Sequence, residues 1–252
     1  MPENDQAVWG AITRAVRLPS LFERSADLTV SRLPGGDGNP VSVVLYGREN
    51  LDPEYSTSYE IGYRAYPSRA LSFDVTAFVN KLFGLTETEA NAPRADTSGR
   101  TIMPRVYSND VNGHTRGFEA LLTIRPTDRL DITTGYTYWA HSIRDKVGDP
   151  EEQFAHNDVP HHQAQLRSYL TLTSALELDA AIYYVGNIPL QKVPSYVRTD
   201  IRLGWQFNPH LELSLSGRNL TNAGHVEFNG PDENTALAPV RRSISGTVTW
   251  RQ

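Results

Sequence analysis

The sequence has 252 residues, a formal net charge of −5, 39% hydrophobic residues and no cysteine. No run of about 18 apolar residues occurs, which excludes a transmembrane helix. The mild acidity argues against nucleic-acid binding, since nucleic acid requires a clustered basic surface.

Alternation of side-chain character is the main structural signal. From Tyr55 to Ala65, aromatic and apolar residues alternate with small and charged residues. A period of two indicates a β-strand, because successive side chains point to opposite faces of a sheet. The pattern recurs along the chain and predicts about ten strands. In chain order the first three lie near Ala7–Val16, Tyr55–Tyr66 and Ala70–Phe83, and the fourth ends with the residues Gly117–Arg125. The others lie near Leu130–Tyr138, Gln163–Leu172, Leu176–Tyr184, Val197–Phe207, Leu211–Gly217 and Ser243–Trp250.

The predicted connections alternate between tight turns and longer polar loops. The tight turns lie near Pro67–Arg69, Pro126–Asp128, Thr173–Ser174 and Asn208–His210. The long loops lie near Arg17–Glu54, Phe83–Pro104, His141–Pro160 and Asn222–Pro239. In outer-membrane barrels the short turns face the periplasm and the long loops face outside. We expect the first long loop to lack regular structure, and no helical period predicts a helix.

The charged faces of the predicted strands decide the fold class. Their ionisable residues could not be buried in a small sandwich core, because removing each charged group from water would cost several kcal/mol. A hydrated lumen can hold them, and facing strands can pair them. They are Glu60, Arg64, Asp74, Glu119, Arg125, Asp131, Arg167, Asp179, Asp200 and Arg202. We therefore predict an all-β, antiparallel transmembrane β-barrel in one domain, residues 1–252, with a soluble all-β binding module as the alternative.

Five segments spread over the chain resemble the C-terminal half of TonB-dependent outer-membrane receptors. They are Val8–Arg24, Leu51–Arg64, His114–Tyr138, Ser216–His225 and Arg241–Trp250. The resemblance implies about ten strands of a plugged barrel of about 22 strands. It also implies a fragment, since the family's signal peptide, TonB box and plug domain find no counterpart in these segments. We expect such a fragment not to transport a ligand by itself.

The resemblance implies a receptor in the cell outer membrane and not an enzyme. The expected function is TonB-dependent uptake of a large ligand, an iron–siderophore complex before others, with no cofactor. The expected partners are outer-membrane lipid and lipopolysaccharide, the siderophore, the TonB complex through the missing N-terminal region, and the barrel-assembly machinery through the C-terminal strand. Nucleic acid is not an expected partner.

One histidine group could hold a metal ion. His156, His161 and His162 lie near Asp158, between a polar loop and the start of a strand. His161 and His162 should face opposite sides of that strand, so they could not easily share one ion. A hydrated loop rim is the preferred interpretation.

Arginines near the ends of the predicted strands leave two alternatives open. Arg14 and Arg17 could bind an anionic ligand or a lipopolysaccharide phosphate. They could also extend from the barrel wall to the membrane interface without a specific ligand, which is the preferred interpretation. Arg241 and Arg242 raise the same alternatives. The loop aromatic residues are too few to assign ligand contacts; they are Phe22, Tyr46, Phe154 and Phe228.

A ten-stranded outer-membrane enzyme, similar to a protease, is the second functional class. Its acidic and histidine groups could only be His141, Asp145, His156 and Asp158 near the outer rim. No known catalytic motif has this spacing. No catalytic, cofactor-binding, metal or ligand-binding residue is therefore assigned.

Overall fold

The computed structural model describes residues 5–36, 39–97, 99–145, 159–229 and 238–251. These residues form strands almost throughout, with one short helix. In chain order the elements are β1 (Asp5–Arg17), α1 (Leu21–Ser25), β2 (Asp27–Leu33), β3 (Val41–Tyr46), β4 (Glu54–Ser68), β5 (Leu71–Ala90), β6 (Arg94–Ala95), β7 (Thr101–Thr127), β8 (Leu130–Asp145), β9 (His162–Thr173), β10 (Leu176–Val185), β11 (Tyr196–Asn208), β12 (Leu211–Arg218), β13 (Gly224–His225), β14 (Val240–Arg241) and β15 (Ser243–Trp250).

Ten of these strands form one continuous antiparallel sheet, which confirms the predicted fold class and strand number. The spatial order is β1-β4-β5-β7-β8-β9-β10-β11-β12-β15, so each strand pairs with the next long strand in sequence. Within the described part of the chain, β1 and β15 each have a partner in this sheet on one side only. The sheet is therefore open and does not close into a cylinder on its own.

The register of the sheet places apolar residues together in some rows and polar or charged residues together in the rows between them. Direct cross-strand partners lie on one face, and one such row consists of Leu130, Leu170, Leu178, Leu203 and Leu215. The next residue on each strand points the other way and forms the row Asp131, Tyr169, Asp179, Arg202 and Ser216. We call these two sides of the sheet the apolar face and the charged face. Ile61 on the apolar face is 61% exposed and Trp205 is 45% exposed, so this face needs an apolar environment.

Tight turns connect the sheet strands at one end, as predicted. Two residues separate β4 from β5, β7 from β8, β9 from β10 and β11 from β12. The longer connections all lie at the other end of the strands. This asymmetry is typical of outer-membrane barrels.

The first long loop contains regular structure, so the expectation that it would lack regular structure was wrong. It contains α1 and the β2–β3 hairpin, and β3 pairs in parallel with residues 102–106 of β7. The loop therefore adds strands to the sheet instead of lying free. Its pairing partner on β7 is far away in sequence, so no local pattern shows it.

Helix α1 was also not predicted. Ser20 accepts a hydrogen bond from the Glu23 amide at 3.2 Å, and the Ser20 amide donates one to the Glu23 carboxylate at 2.6 Å. This Ser-x-x-Glu capping box was the local signal for a helix start. With five residues α1 is the single helix in the described ranges, where no helix is long and apolar enough to cross a membrane.

Two of the predicted loops were drawn too long, because the strands continue into them. β5 extends to Ala90 and β7 begins at Thr101, within the predicted loop Phe83–Pro104, and β8 extends to Asp145. Alternation marks a strand only where one face is apolar. In its extension, residues 101–110, β7 does not alternate regularly between apolar and polar residues, and its edge pairs with β3 and β6 from the connecting segments.

The two faces of the sheet predict opposite tolerances for charge. Leu166 and Gln165 are neighbours on β9, on the apolar and the charged face respectively. In a bilayer, Leu166→Arg should reduce the free energy of unfolding by about 2 kcal/mol or more, because arginine facing lipid is costly. Gln165→Arg is the matched control and should change it little. Urea titration of the chain in lipid vesicles measures both, and equal effects would contradict the two-faced arrangement.

Candidate functional site

Ion pairs across neighbouring strands neutralise the charged face. Arg202 on β11 contacts Asp179 on β10 at 3.0 Å and Glu212 on β12 at 2.7 Å. Glu212 also accepts a hydrogen bond from Arg251 at 3.2 Å. Arg202, Asp179 and Glu212 are only partly exposed, so their contacts hold three strands in register while leaving little net charge.

Three further arginine–carboxylate pairs lie on the same face. They are Arg64–Asp74, Arg125–Asp131 and Arg198–Asp200. The sequence placed these charges on one face, which the structure confirms. It also raised pairing between strands, which Arg64–Asp74 and Arg125–Asp131 confirm, whereas Arg198 and Asp200 lie on the same strand. Glu60, Glu119 and Arg167 have no ion-pair partner within 4.0 Å among the described residues, so the wall keeps some charge free for contact with other groups.

Several shallow concavities lie on the charged face, and two of them share Tyr183 in their lining. One, of about 410 Å³, is lined by polar side chains including Thr137 and Gln163. The other, of about 480 Å³, contains several of the charged residues, among them Asp131, Arg167 and Arg218. Such a wetted wall suits the passage or docking of polar groups better than a buried reaction centre.

A three-residue clamp holds α1 against the long-loop end of the sheet. Arg17 at the end of β1 contacts Glu23 in α1 and Glu54 at the start of β4, each at 2.7 Å. The Glu23 carbonyl accepts a hydrogen bond from the Arg48 amide at 3.0 Å. The hydrogen bond from Arg17 lowers the pKa of Glu23 to about 2, although burial opposes this shift. Arg17 is therefore a structural residue, and its guanidinium is already engaged.

A second packed unit lies beside the clamp, where β3 joins the extension of β7. Its buried side chains include Val44, Leu51 and Ile102. The Asn109 side chain accepts from the Asp52 amide at 2.8 Å and donates to the Asp52 and Gly84 carbonyls. The amide side chain of Asn109 thus joins β7 to the backbone at Asp52 and at Gly84. These hydrogen bonds fix the position of the loop at this end of the sheet.

The last two connections form a third unit at the same end. The Asn219 side chain is buried, with a positive φ of 54°, and donates to the Val240 carbonyl at 2.9 Å. His225 is also buried, stacks on Tyr196 with ring centroids 4.0 Å apart, and contacts Glu227 at 2.9 Å. Sequence reasoning missed this polar cluster, because its members meet through tertiary contacts.

The two described members of the histidine group have different hydrogen-bond partners. His161 contacts the Trp139 carbonyl through Nδ1 at 2.8 Å, whereas His162 contacts the Tyr136 hydroxyl through Nδ1 at 2.7 Å. The two rings therefore have separate partners on β8. In the described ranges no three His, Asp or Glu residues are grouped as metal ligands. His156 and Asp158 lie outside the described residues.

The residues proposed for an enzyme are only partly within the described chain. His141 and Asp145 lie on β8, and the His141 ring lies 5.0 Å from the Trp139 ring. His156 and Asp158, the other two, fall outside the described residues. The catalytic arrangement therefore gains no support from the geometry.

Exposed aromatic residues and arginines line the long-loop end. Phe22 is 51% exposed and Phe228 is 55% exposed. The Arg94 guanidinium lies 5.4 Å from the centre of the Tyr46 ring. Phe154 lies outside the described residues. These groups can bind a ligand through apolar and cation–π contacts, but they include no evident acid–base pair.

Comparison with known proteins identifies what this architecture is similar to. The family model described as "TonB dependent receptor-like, beta-barrel" matches residues 1–220. The probable TonB-dependent siderophore receptor PiuA of Acinetobacter baumannii is 26% identical over 205 residues, which cover 75% of this chain and 26% of that protein.

Solved structures show the same fold. The siderophore receptor PirA from Acinetobacter baumannii superposes with a TM-score of 0.73 at 17% identity, covering 97% of this chain and 39% of that one. PirA from Pseudomonas aeruginosa gives a TM-score of 0.65 at 18% identity, with the same coverage. The chain thus spans about a quarter of the curated relative and about two fifths of these solved chains.

The Arg17 clamp should make the order of α1 depend on pH. A carboxylate with a lowered pKa stabilises the folded state above its unfolded pKa of 4.5, and this contribution is lost as the pH falls towards about 2. Hydrogen exchange at the Arg48 amide should therefore accelerate between these pH values, beyond the intrinsic pH effect. Glu23→Gln is the control and should remove the dependence; a variant with the same profile as the unaltered chain would contradict the clamp.

Asn219 should be difficult to replace. Asn219→Ala loses the hydrogen bond to Val240 and keeps an unfavourable positive φ, so local opening should become easier by about 1–3 kcal/mol. Asn219→Gly loses only the hydrogen bond and should cost less, since glycine tolerates this backbone conformation. Hydrogen exchange of residues 219–225 measures both variants, with Asn222→Ala as the control. Equal costs for the alanine and glycine variants would show that the backbone conformation is unimportant.

Proposed function

Because this chain belongs to the TonB-dependent receptor-like β-barrel family, whose model matches residues 1–220, we propose that it forms part of the wall of an outer-membrane receptor. The receptor would take up a large ligand, and we propose an iron–siderophore complex as that ligand. We further propose that residues 1–252 are a single portion of that barrel. PiuA and PirA, named as siderophore receptors, support the choice of cargo.

The two-faced ten-strand sheet is the observation that carries this proposal. Within the part of the chain that the structure describes, no second layer covers its apolar face, and rows such as Leu170, Leu178 and Leu203 provide the surface that lipid requires. Its charged face is lined by paired arginines and carboxylates, which a hydrated lumen tolerates. A soluble binding module would need to bury one of these faces against a second layer.

Ligand recognition would occur at the long-loop end and not along the sheet. Three packed units lie there, and they present exposed aromatic side chains such as Phe22 and Phe228. No residue is assigned as a ligand contact, because the barrel would share its site with parts of the receptor beyond these residues. Passage through the lumen of the barrel would then follow ligand binding. The TonB complex would supply the energy through another region of the receptor.

The remaining partners follow from membrane location. Outer-membrane lipid would contact the apolar face, and the barrel-assembly machinery would recognise β15, which ends with the exposed Trp250. The family is one of receptors and transporters, so we propose no catalytic step, no cofactor and no contact with nucleic acid.

Uptake in the bacterium that carries this gene tests the proposed function. In-frame removal of the codons for residues 1–252 should abolish uptake of at least one radiolabelled iron–siderophore complex under iron limitation. Re-expression should restore it, and a Gln165→Arg gene should restore more uptake than a Leu166→Arg gene, since only the latter places charge against lipid. Glucose uptake is the control. Unchanged uptake of catecholate and hydroxamate complexes alike would contradict the proposal.

A further inference from the structure

Two glutamates lie on one face of the sheet where β5 and β7 extend beyond β8 at the long-loop end. Glu87 on β5 is the direct cross-strand partner of Ser108 on β7, and Glu89 is the partner of Val106. Direct partners point to the same face, as do residues two positions apart on one strand. The side chains of Glu87, Glu89 and Ser108 therefore share one face, and we call these three residues the acidic cluster.

The acidic cluster lies on the buried side of the β7 extension. Alternate residues of β7 point to this side, and Ile102 and Ser108 are both buried there, with Ser108 only 1% exposed. One carboxylate oxygen of Glu87 and one of Glu89 are also shielded from solvent. Because burial removes these oxygen atoms from water, each requires a polar partner or a bound ligand.

The hydroxyl of Ser108 is the observation that points to a ligand. Its Oγ makes no hydrogen bond with any residue that the structure describes, although nearly the whole residue is buried. Oε1 of Glu89 likewise accepts no hydrogen bond from those residues. Two buried oxygen atoms thus face the same side of the sheet. A hydroxyl oxygen and a carboxylate oxygen are both suitable ligands for a hard cation.

The neighbouring arginines do not neutralise Glu89. Arg105 on β7 points to the opposite face, where it donates to the Thr88 hydroxyl at 3.2 Å and to the Thr88 carbonyl at 3.1 Å. The Arg94 guanidinium lies over the Tyr46 ring. Among the residues in the described ranges, no lysine, arginine or histidine nitrogen lies within 4.0 Å of the Glu89 carboxylate. Negative charge therefore remains on this side of the sheet.

We propose that the acidic cluster binds a divalent cation, Ca²⁺ in preference to Mg²⁺. Glu87 and Glu89 would each supply one or two carboxylate oxygens, the Ser108 hydroxyl would supply another, and water would complete the shell. Residues two apart on a strand are separated by about 6.8 Å, so two long glutamate side chains can converge on one ion. Ca²⁺ accepts about six to eight oxygen ligands in flexible geometry, whereas Mg²⁺ requires a nearly ideal octahedron. A sheet fixes the spacing of its residues, which favours the less demanding ion.

Two carboxylates are few for a calcium site, so binding should be weak. The Ca²⁺ sites of extracellular modules have dissociation constants of about 10⁻⁴–10⁻³ M, and we expect a value in this range. The bound ion would join the extensions of β5 and β7 and stabilise their pairing. The supply of Ca²⁺ from the external medium rests on the outer-membrane location given under the proposed function. Binding itself does not depend on which ligand is transported.

Calcium binding by the purified receptor tests the site. The receptor would be extracted from outer membranes in detergent, freed of divalent ions with a chelator and dialysed to equilibrium against radioactive Ca²⁺. Glu89→Gln should weaken the binding of one Ca²⁺ per chain at least about tenfold, because it removes a charged ligand. Ser108→Ala keeps both carboxylates and should weaken binding about threefold. Glu49→Gln removes an equal charge from an exposed residue at the same end and should bind as the unaltered receptor does.

Hydrogen exchange separates ion binding from a purely structural role of the glutamates. About 10 mM Ca²⁺ is roughly ten times the upper limit of the expected dissociation constant, so exchange at residues 87–89 and 106–108 should slow about tenfold. The same addition should have little effect on these amides in Glu89→Gln. Mg²⁺ at equal concentration should protect them much less. If Glu89→Gln does not fold by circular dichroism, Ser108→Ala replaces it in both measurements.

Three results would overturn the calcium site. They are equal Ca²⁺ binding by the unaltered receptor and Glu89→Gln, an equal loss of binding in Glu49→Gln, and protection of these amides by Mg²⁺ as strong as that by Ca²⁺. Neither measurement involves iron–siderophore uptake. The calcium site and the proposed function can therefore fail independently.

Discussion

Hydrogen bonding between neighbouring strands is the constraint on which the rest of this structure depends. In a membrane each backbone N–H and C=O must find a partner within the protein, because lipid offers none. Ten strands pair in sequence order from β1 to β15 and meet this need between them, while in the described residues the outer edges of β1 and β15 stay open. Once the pairing register is set, every side chain is assigned to one face, since a shift of one residue would exchange the two faces.

The consequences of that register differ between the two faces. On the charged face it brings carboxylates within reach of arginines, so Arg202 is held by Asp179 and Glu212. Each pair offsets part of the desolvation of its members and also strengthens the register that formed it. On the apolar face the same register gathers Arg14, Lys81 and Arg116 into rows without a carboxylate. Within the described residues, several arginines of the charged face are therefore paired with carboxylates, whereas these three cations of the apolar face are not.

The long-loop end is organised by contacts that cross large distances in sequence. Arg17 joins β1, α1 and β4, while Asn109 on β7 joins the backbone at Asp52 and Gly84. These polar side chains replace the extensive apolar core that an open sheet lacks. Rigid loops of this kind suit a receptor, because a preorganised surface loses less entropy when a ligand binds.

The sequence by itself determined the strands of the sheet, their alternating faces and the positions of the tight turns. Those features depend on local period and turn chemistry, which can be read within a window of a few residues. The helix start at Ser20–Glu23 was also readable, as a capping box. Only the tertiary structure decided that β3 pairs with β7, that Asn219 and His225 are buried, and that Arg17 is engaged while Arg14 is free of carboxylates. Each of these features depends on residues that are distant in sequence and are brought together by strand register or by loop docking. The residues next to each position do not encode such contacts.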